Sequence, residues 1–232
     1  MNPTGATNAP EAAAMITDRS LGAWEIVSVT SSALIAEWIL SAAAGRTKLI
    51  VAVPIALAFI LIIYSHVLRG ENARDLGFRL DNFFRALKLL LLPMIVIAGI
   101  SLLIGWLSGS RPDFFRWHAE RLILFQLALG FGWGFLQQYV LQSFMNRRAQ
   151  VIWGRGTASV LVTALIFSVL HFPNRWLMVI TFVGGLVWAF VYQRQPNLVA
   201  LALSHAAMTW ALVSTLPPSA LNHLRIGLKY FA

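Results

Sequence analysis

Residues 131–148 read FGWGFLQQYVLQSFMNRR. The run is apolar enough to sit in lipid, yet it carries Gln137, Gln138 and Gln142 in its middle. A carboxamide with no partner costs roughly 4–8 kcal/mol in pure hydrocarbon, so all three must face protein or water. The segment therefore reads as an interior helix of a membrane protein. On a regular helix Gln138 and Gln142 share a face, with Gln137 about 100° round from Gln138. Gly130 and Gly134 form a small-xxx-small face that admits a close neighbour. Taken alone, the amides fit either a packed, amide-laced helix interface or part of a polar site.

The composition agrees with lipid as the surrounding solvent. Hydrophobic residues make up 58% of the 232 and charged residues 12%, and the mean hydropathy is +0.71, far from a soluble domain. Eighteen Lys and Arg against nine Asp and Glu give a net charge of +9. The basic residues flank apolar runs, so their partners are lipid headgroups and not nucleic acid. The absence of cysteine excludes disulfides, a thiol nucleophile and a thiolate metal site.

Outward from the opening stretch, the chain divides into about seven apolar spans of membrane-crossing character. Residues 1–20 are small and polar and read as a disordered tail, and residues 21–232 as one transmembrane helical domain. The spans are expected at 24–44, 49–67, 89–106, 122–144, 157–171, 176–192 and 197–216. Glu25 sits beside Trp24 at an interface. Glu37 lies about 18 Å further along and fits either an intramembrane functional carboxylate or the opposite interface beside Trp38. In FRLDNFFRALK, residues 78–88, Leu80, Phe83, Phe84 and Leu87 recur at i, i+3, i+4 and i+7 with basic residues off that stripe, which predicts a short amphipathic helix lying on the membrane surface. Residues 108–121 read as a polar loop. The fifth span is short, because Pro173 removes a donor and biases Phe172 out of helical geometry, so His171 is expected to end a helix inside the membrane.

Three of these spans carry the remaining deep polar groups: Gln137, Gln138 and Gln142, then His171, then His205 and Thr209. Counted along their helices, Gln138, His171 and His205 lie at comparable depths, about 12–21 Å from one membrane face, which predicts one shared polar cavity. Thr209, one turn after His205, shares its face and can orient a water or accept from the imidazole.

The ordered polar pairs resemble the CPBP family of intramembrane endopeptidases, the CAAX prenyl proteases and bacteriocin-processing enzymes. That family carries Glu-Glu-x-x-x-Arg, then Phe-x-x-x-His, then His-x-x-x-Asn. Here the second motif stands as Phe167 to His171, the third is half kept as His205 to Thr209, and the first reads Gln137, Gln138, Tyr139, Val140, Leu141, Gln142. The intervals, 33 residues from Gln138 to His171 and 34 from His171 to His205, also match, and the resemblance covers about residues 75–216. It implies an all-α, polytopic CPBP-like bundle of a plasma or inner membrane, acting on membrane-embedded or prenylated peptides. Water would be activated by the first glutamate with the second-motif histidine, and the oxyanion held by the third motif. The site residues carried over are His171, His205, Gln137, Gln138, Thr209 and Gln142.

The departure is chemical. A carboxamide accepts no proton near neutral pH, and general-base help is worth roughly 10²–10⁴-fold. Two imidazoles with amide oxygens also lack the carboxylate or thiolate of a zinc site, so no metal and no cofactor is expected. Either His171 serves as base, since imidazole titrates near neutrality, or Glu37 reaches the cavity, or the protein is a pseudoprotease that binds a membrane peptide or a partner protein without cleaving it.

Overall fold

The computed structural model describes residues 9–40, 49–115 and 123–231. Every regular element among them is helical. Helix α1 (Ala9–Leu34) runs on through wide π-helical turns at Ile35–Leu40, and α2 (Leu49–Leu68) and α3 (Phe83–Leu107) follow. Helix α4 (Ile123–Gln138) continues through a second π-helical stretch, Tyr139–Asn146, into α5 (Arg147–Trp153). Then come α6 (Thr157–Val169), α7 (Arg175–Arg194) and α8 (Leu198–Thr215), with short helical turns after Pro217. Residues 1–8 of the expected tail, 41–44 of the first expected span, the start of the fourth at 122 and 116–121 of the expected loop lie outside the described residues.

Among the described residues α3, α7 and α8 are each long and apolar enough to cross a membrane, and Ala52–Leu68 and Thr157–Val169 are shorter apolar helices. Helix α3 turns most of its large side chains outward, Leu92 being 70% exposed, as a lipid-facing helix does. Helix α8 lies inside, packed between α3 and α4, with Leu198 and Leu201 fully buried beside Phe144 and Met145. Asn197 caps α8 by accepting from the Ala200 amide and ties it to the loop before α3 by donating to the Arg79 carbonyl and Asn82 Oδ1.

Two expectations change in detail. Helix α1 begins at Ala9, within the stretch read as a tail, and its Asp18 pairs with Arg69 at 2.5 Å. The amphipathic stripe is not a separate surface helix. Phe83 opens α3, Leu80 and Phe84 are exposed, and Phe83 is half-buried against the core. The side chain of Asn82, just before α3, holds this entry to the Gln195 side chain and Pro196 carbonyl, which fixes the stripe as the first turn of a longer helix.

Close approach of α6 and α7 depends on Gly185, where an added Cβ would stand 2.9 Å from the Ala164 Cα. Gly185→Val is therefore expected to lower stability by about 1–3 kcal/mol through overpacking, read as a lower thermal midpoint in detergent. An unchanged midpoint would show that the two helices yield there.

A deeply buried charge lies away from His171 and His205. Arg148 is 0% exposed. Its guanidinium meets Glu25 Oε2 at 3.0 Å and Glu71 at 2.9 Å, and donates to Ser65 Oγ at 2.8 Å. Arg69 reaches Glu25 at 3.2 Å, Arg147 reaches Glu71 at 2.7 Å, and His66 Nδ1 donates to Glu71 at 2.5 Å. This cluster joins α1, α2, the loop after α2 and α5. Glu25, expected at an interface beside Trp24, is instead buried in this cluster.

Candidate functional site

The site forms where α4 and α8 come closest. A Cβ on Gly134 would sit 3.2 Å from the Ala202 carbonyl and 3.4 Å from His205 Cβ, so glycine here lets the His205 backbone approach the amide-bearing helix. One turn on from Gly134, Gln138 Nε2 donates to His205 Nδ1 at 3.0 Å. This pairing places the remaining imidazole proton on Nε2. Gln138 is fully buried, and its Oε1 has no partner among the described residues.

Around His205 the rings are ordered. The Trp188 indole stacks on it with centroids 4.6 Å apart and planes 11° apart, while the indole N–H donates to Ser204 Oγ at 2.9 Å. Phe167 presents an edge-on contact to both imidazoles, at 4.8 Å to His171 and 6.0 Å to His205. His171 follows the end of α6 and is fixed through its own backbone, Nδ1 donating to the Phe167 carbonyl at 2.7 Å. That bond leaves Nε2 as the imidazole nitrogen with a lone pair.

Gln137, His171, His205 and Thr209 line one cavity of about 490 Å³, with Trp188 and Phe167 among its apolar lining. Gln138 stands behind His205 as a hydrogen-bond partner and does not itself line the cavity. Gln142 is elsewhere. Its Oε1 accepts from Asn146 Nδ2 at 2.8 Å, and Asn146 continues to the Ala189 carbonyl and to Gln193, whose amide also reaches Ser159. Four of the six residues expected at the site thus share the cavity, a fifth orients one of them, and the sixth belongs to a neighbouring amide network.

Glu37 does not line the cavity. Its carboxylate stands 3.6 Å from Lys229 Nζ, and its carbonyl packs against Gly227. Among the described residues no Asp or Glu lines the cavity, and no group of three or more His, Asp or Glu is placed to hold a metal ion. The donors at hand, two imidazoles and carboxamides, do not fit a zinc set.

A membrane helical bundle with one histidine on α8 and another in the turn after α6, facing one cavity beside an amide-bearing helix, has the architecture of an intramembrane peptidase. A family model described as type II CAAX prenyl endopeptidase Rce1-like matches residues 12–211, and the chain belongs to that family of integral membrane proteins. No curated protein and no solved structure matches it.

Proposed function

We propose that this family member holds a membrane-embedded or prenylated peptide in the histidine cavity without the family's carboxylate-driven hydrolysis. The observation that carries the reading is the partner of His205: a carboxamide, Gln138, occupies the place where the family motif has a glutamate. A carboxamide can orient an imidazole and donate to a carbonyl oxygen, but it cannot take a proton from water. The cavity suits binding. Its aromatic wall accepts an apolar chain, while His205 Nε2, Gln137 and Thr209 offer hydrogen bonds to a peptide amide.

A second reading is favoured by one contact. The bond from His171 Nδ1 to the Phe167 carbonyl leaves Nε2 with a free lone pair on a cavity-lining ring, the form a general base requires. On that reading the protein is a slow, metal-independent peptidase.

Binding is tested with the purified chain in lipid nanodiscs and a fluorescent farnesylated tetrapeptide ester. Saturable binding is expected, weakened about tenfold or more in Trp188→Ala, because stacking and apolar wall are lost together. Binding that is absent, or indifferent to Trp188, would remove the proposal.

A further inference from the structure

Helix α6 has 13 residues and α7 has 20, so α6 is shorter by about 10 Å at helical rise. The space left below its end is filled by the turn at His171 to Asn174 and by residues 217–231, which fold back after α8. This returning segment lies beyond the residues 12–211 covered by the family model. Three of its side chains, Leu221, Leu224 and Ile226, line the histidine cavity.

The segment is held from three directions. Asn174 Nδ2 donates to the carbonyls of Leu221 at 2.8 Å and Arg225 at 3.2 Å, and the Gly227 amide donates to the Phe172 carbonyl at 3.0 Å. Trp38 stacks on Phe172 at 5.4 Å, and Lys229 meets Glu37, so the end of α1 backs the same turn. Gly227 has φ +57°, and a Cβ there would stand 2.9 Å from the Glu37 carbonyl. Asn222, His223 and Leu224 take φ of 43°, 52° and 59°. Leu224 is a residue type that disfavours left-handed backbone, a conformation that persists where surroundings over-determine it.

We infer that residues 217–231 are a strap that closes the water-facing end of the cavity and makes the lipid side its route of access. The strap turns Leu221, Leu224 and Ile226 inward and leaves Lys229 60% exposed outward, the polarity of a plug between an apolar cavity and water. On the open side, Trp133 and Trp210 line the cavity and are also 62% and 41% exposed on the bundle's outer surface. An occupant therefore arrives from the bilayer, and soluble peptides are kept out. This assignment deepens the binding reading and rests on it for the nature of the occupant.

The chain has no cysteine, so a single Thr209→Cys reports access to the cavity without any peptide. In nanodiscs a charged methanethiosulfonate should modify this thiol slowly, and a long-chain alkyl maleimide dissolved in the lipid should modify it readily. Adding Gly227→Ala, which forces the strap off Glu37, should speed the charged reagent by about tenfold by favouring local opening. Lys229→Glu, a surface change that leaves the core untouched, should act in the same direction and more weakly. Fast modification by the charged reagent in the parent, or no acceleration in either variant, overturns the strap. Failure of the maleimide overturns the lipid route. Neither result depends on peptide binding, so the strap and the binding reading fail separately.

Discussion

Arg148→Ala is expected to lower stability by up to about 3–5 kcal/mol, because it removes the fully buried cation between two carboxylates and leaves Glu25 only Arg69 and Glu71 only Arg147 as cationic partners. Glu25 and Glu71 both approach this guanidinium within about 3 Å, and neither can turn to water without opening the α1, α2 and α5 contacts. Arg148→Lys should recover little, since a compact ammonium cannot span the separated positions of both carboxylates and Ser65 as the planar guanidinium fork does. Replacing the group together, as Glu25→Gln, Glu71→Gln and Arg148→Met, should recover part of the loss. The measurement is the unfolding midpoint in mixed micelles, and an Arg148→Ala midpoint equal to the parent's would show that the cluster contributes nothing.

The same cluster sets a pH dependence. Burial pushes the Glu71 carboxyl up, but the bonds from His66, Arg148 and Arg147 together outweigh it and hold the group well below its usual 4.5. A depressed carboxyl contributes stability that is fully present above the unfolded value and is lost as pH falls through the folded one. The midpoint should therefore be insensitive to Glu71 between neutrality and about pH 5 and fall progressively below that. Glu71→Gln should flatten the acid limb.

Much of this architecture is legible in the sequence, and the parts that are not share a cause. Apolar runs, Pro173 and the polar pairs locate the helices and place His171, His205 and Thr209 near one another, because each depends only on local spacing and on the cost of polar groups in lipid. Gln138, expected to line the cavity, stands behind His205, and Gln137 lines it instead. Gln142 escapes the reading because the helix widens after Gln138. Across π-helical turns a residue four positions on no longer lies over its predecessor, and Gln142 faces Asn146 instead of the cavity. The Glu25 to Arg148 pairing escapes it because periodicity within a segment says nothing about which segments meet across more than 100 residues. The fold-back of residues 217–231 escapes it for the same reason, since only Pro217 and Pro218 mark the end of the last span.

The second large effect concerns hydrolysis. The unmodified chain is expected to release no product from a farnesylated peptide, while Gln137→Glu, Gln138→Glu and Gln142→Arg made together should raise hydrolysis by roughly 10²–10⁴-fold over background, the usual worth of a general base. The three changes are needed as a set. A carboxylate at position 138 would be fully enclosed, as Gln138 is, with a neutral imidazole and no cation beside it. An isolated buried charge is costly, so the lone glutamate would take up a proton and cease to be a base. A guanidinium at position 142, the place the family motif gives to arginine, gives up the bond Gln142 accepts from Asn146 Nδ2 and is long enough to turn back toward that carboxylate and hold its charge. Hydrolysis by the set that does not exceed either the glutamate pair or the arginine alone would mean that the cavity lacks more than its base. If instead the parent cleaves slowly, the activity should vanish in His171→Ala and survive chelators, because the Nε2 lone pair on a ring pinned through Nδ1 is then the base. Chelator-sensitive cleavage by the parent would contradict both outcomes, since it would require a metal that two imidazoles and carboxamides are poorly suited to hold.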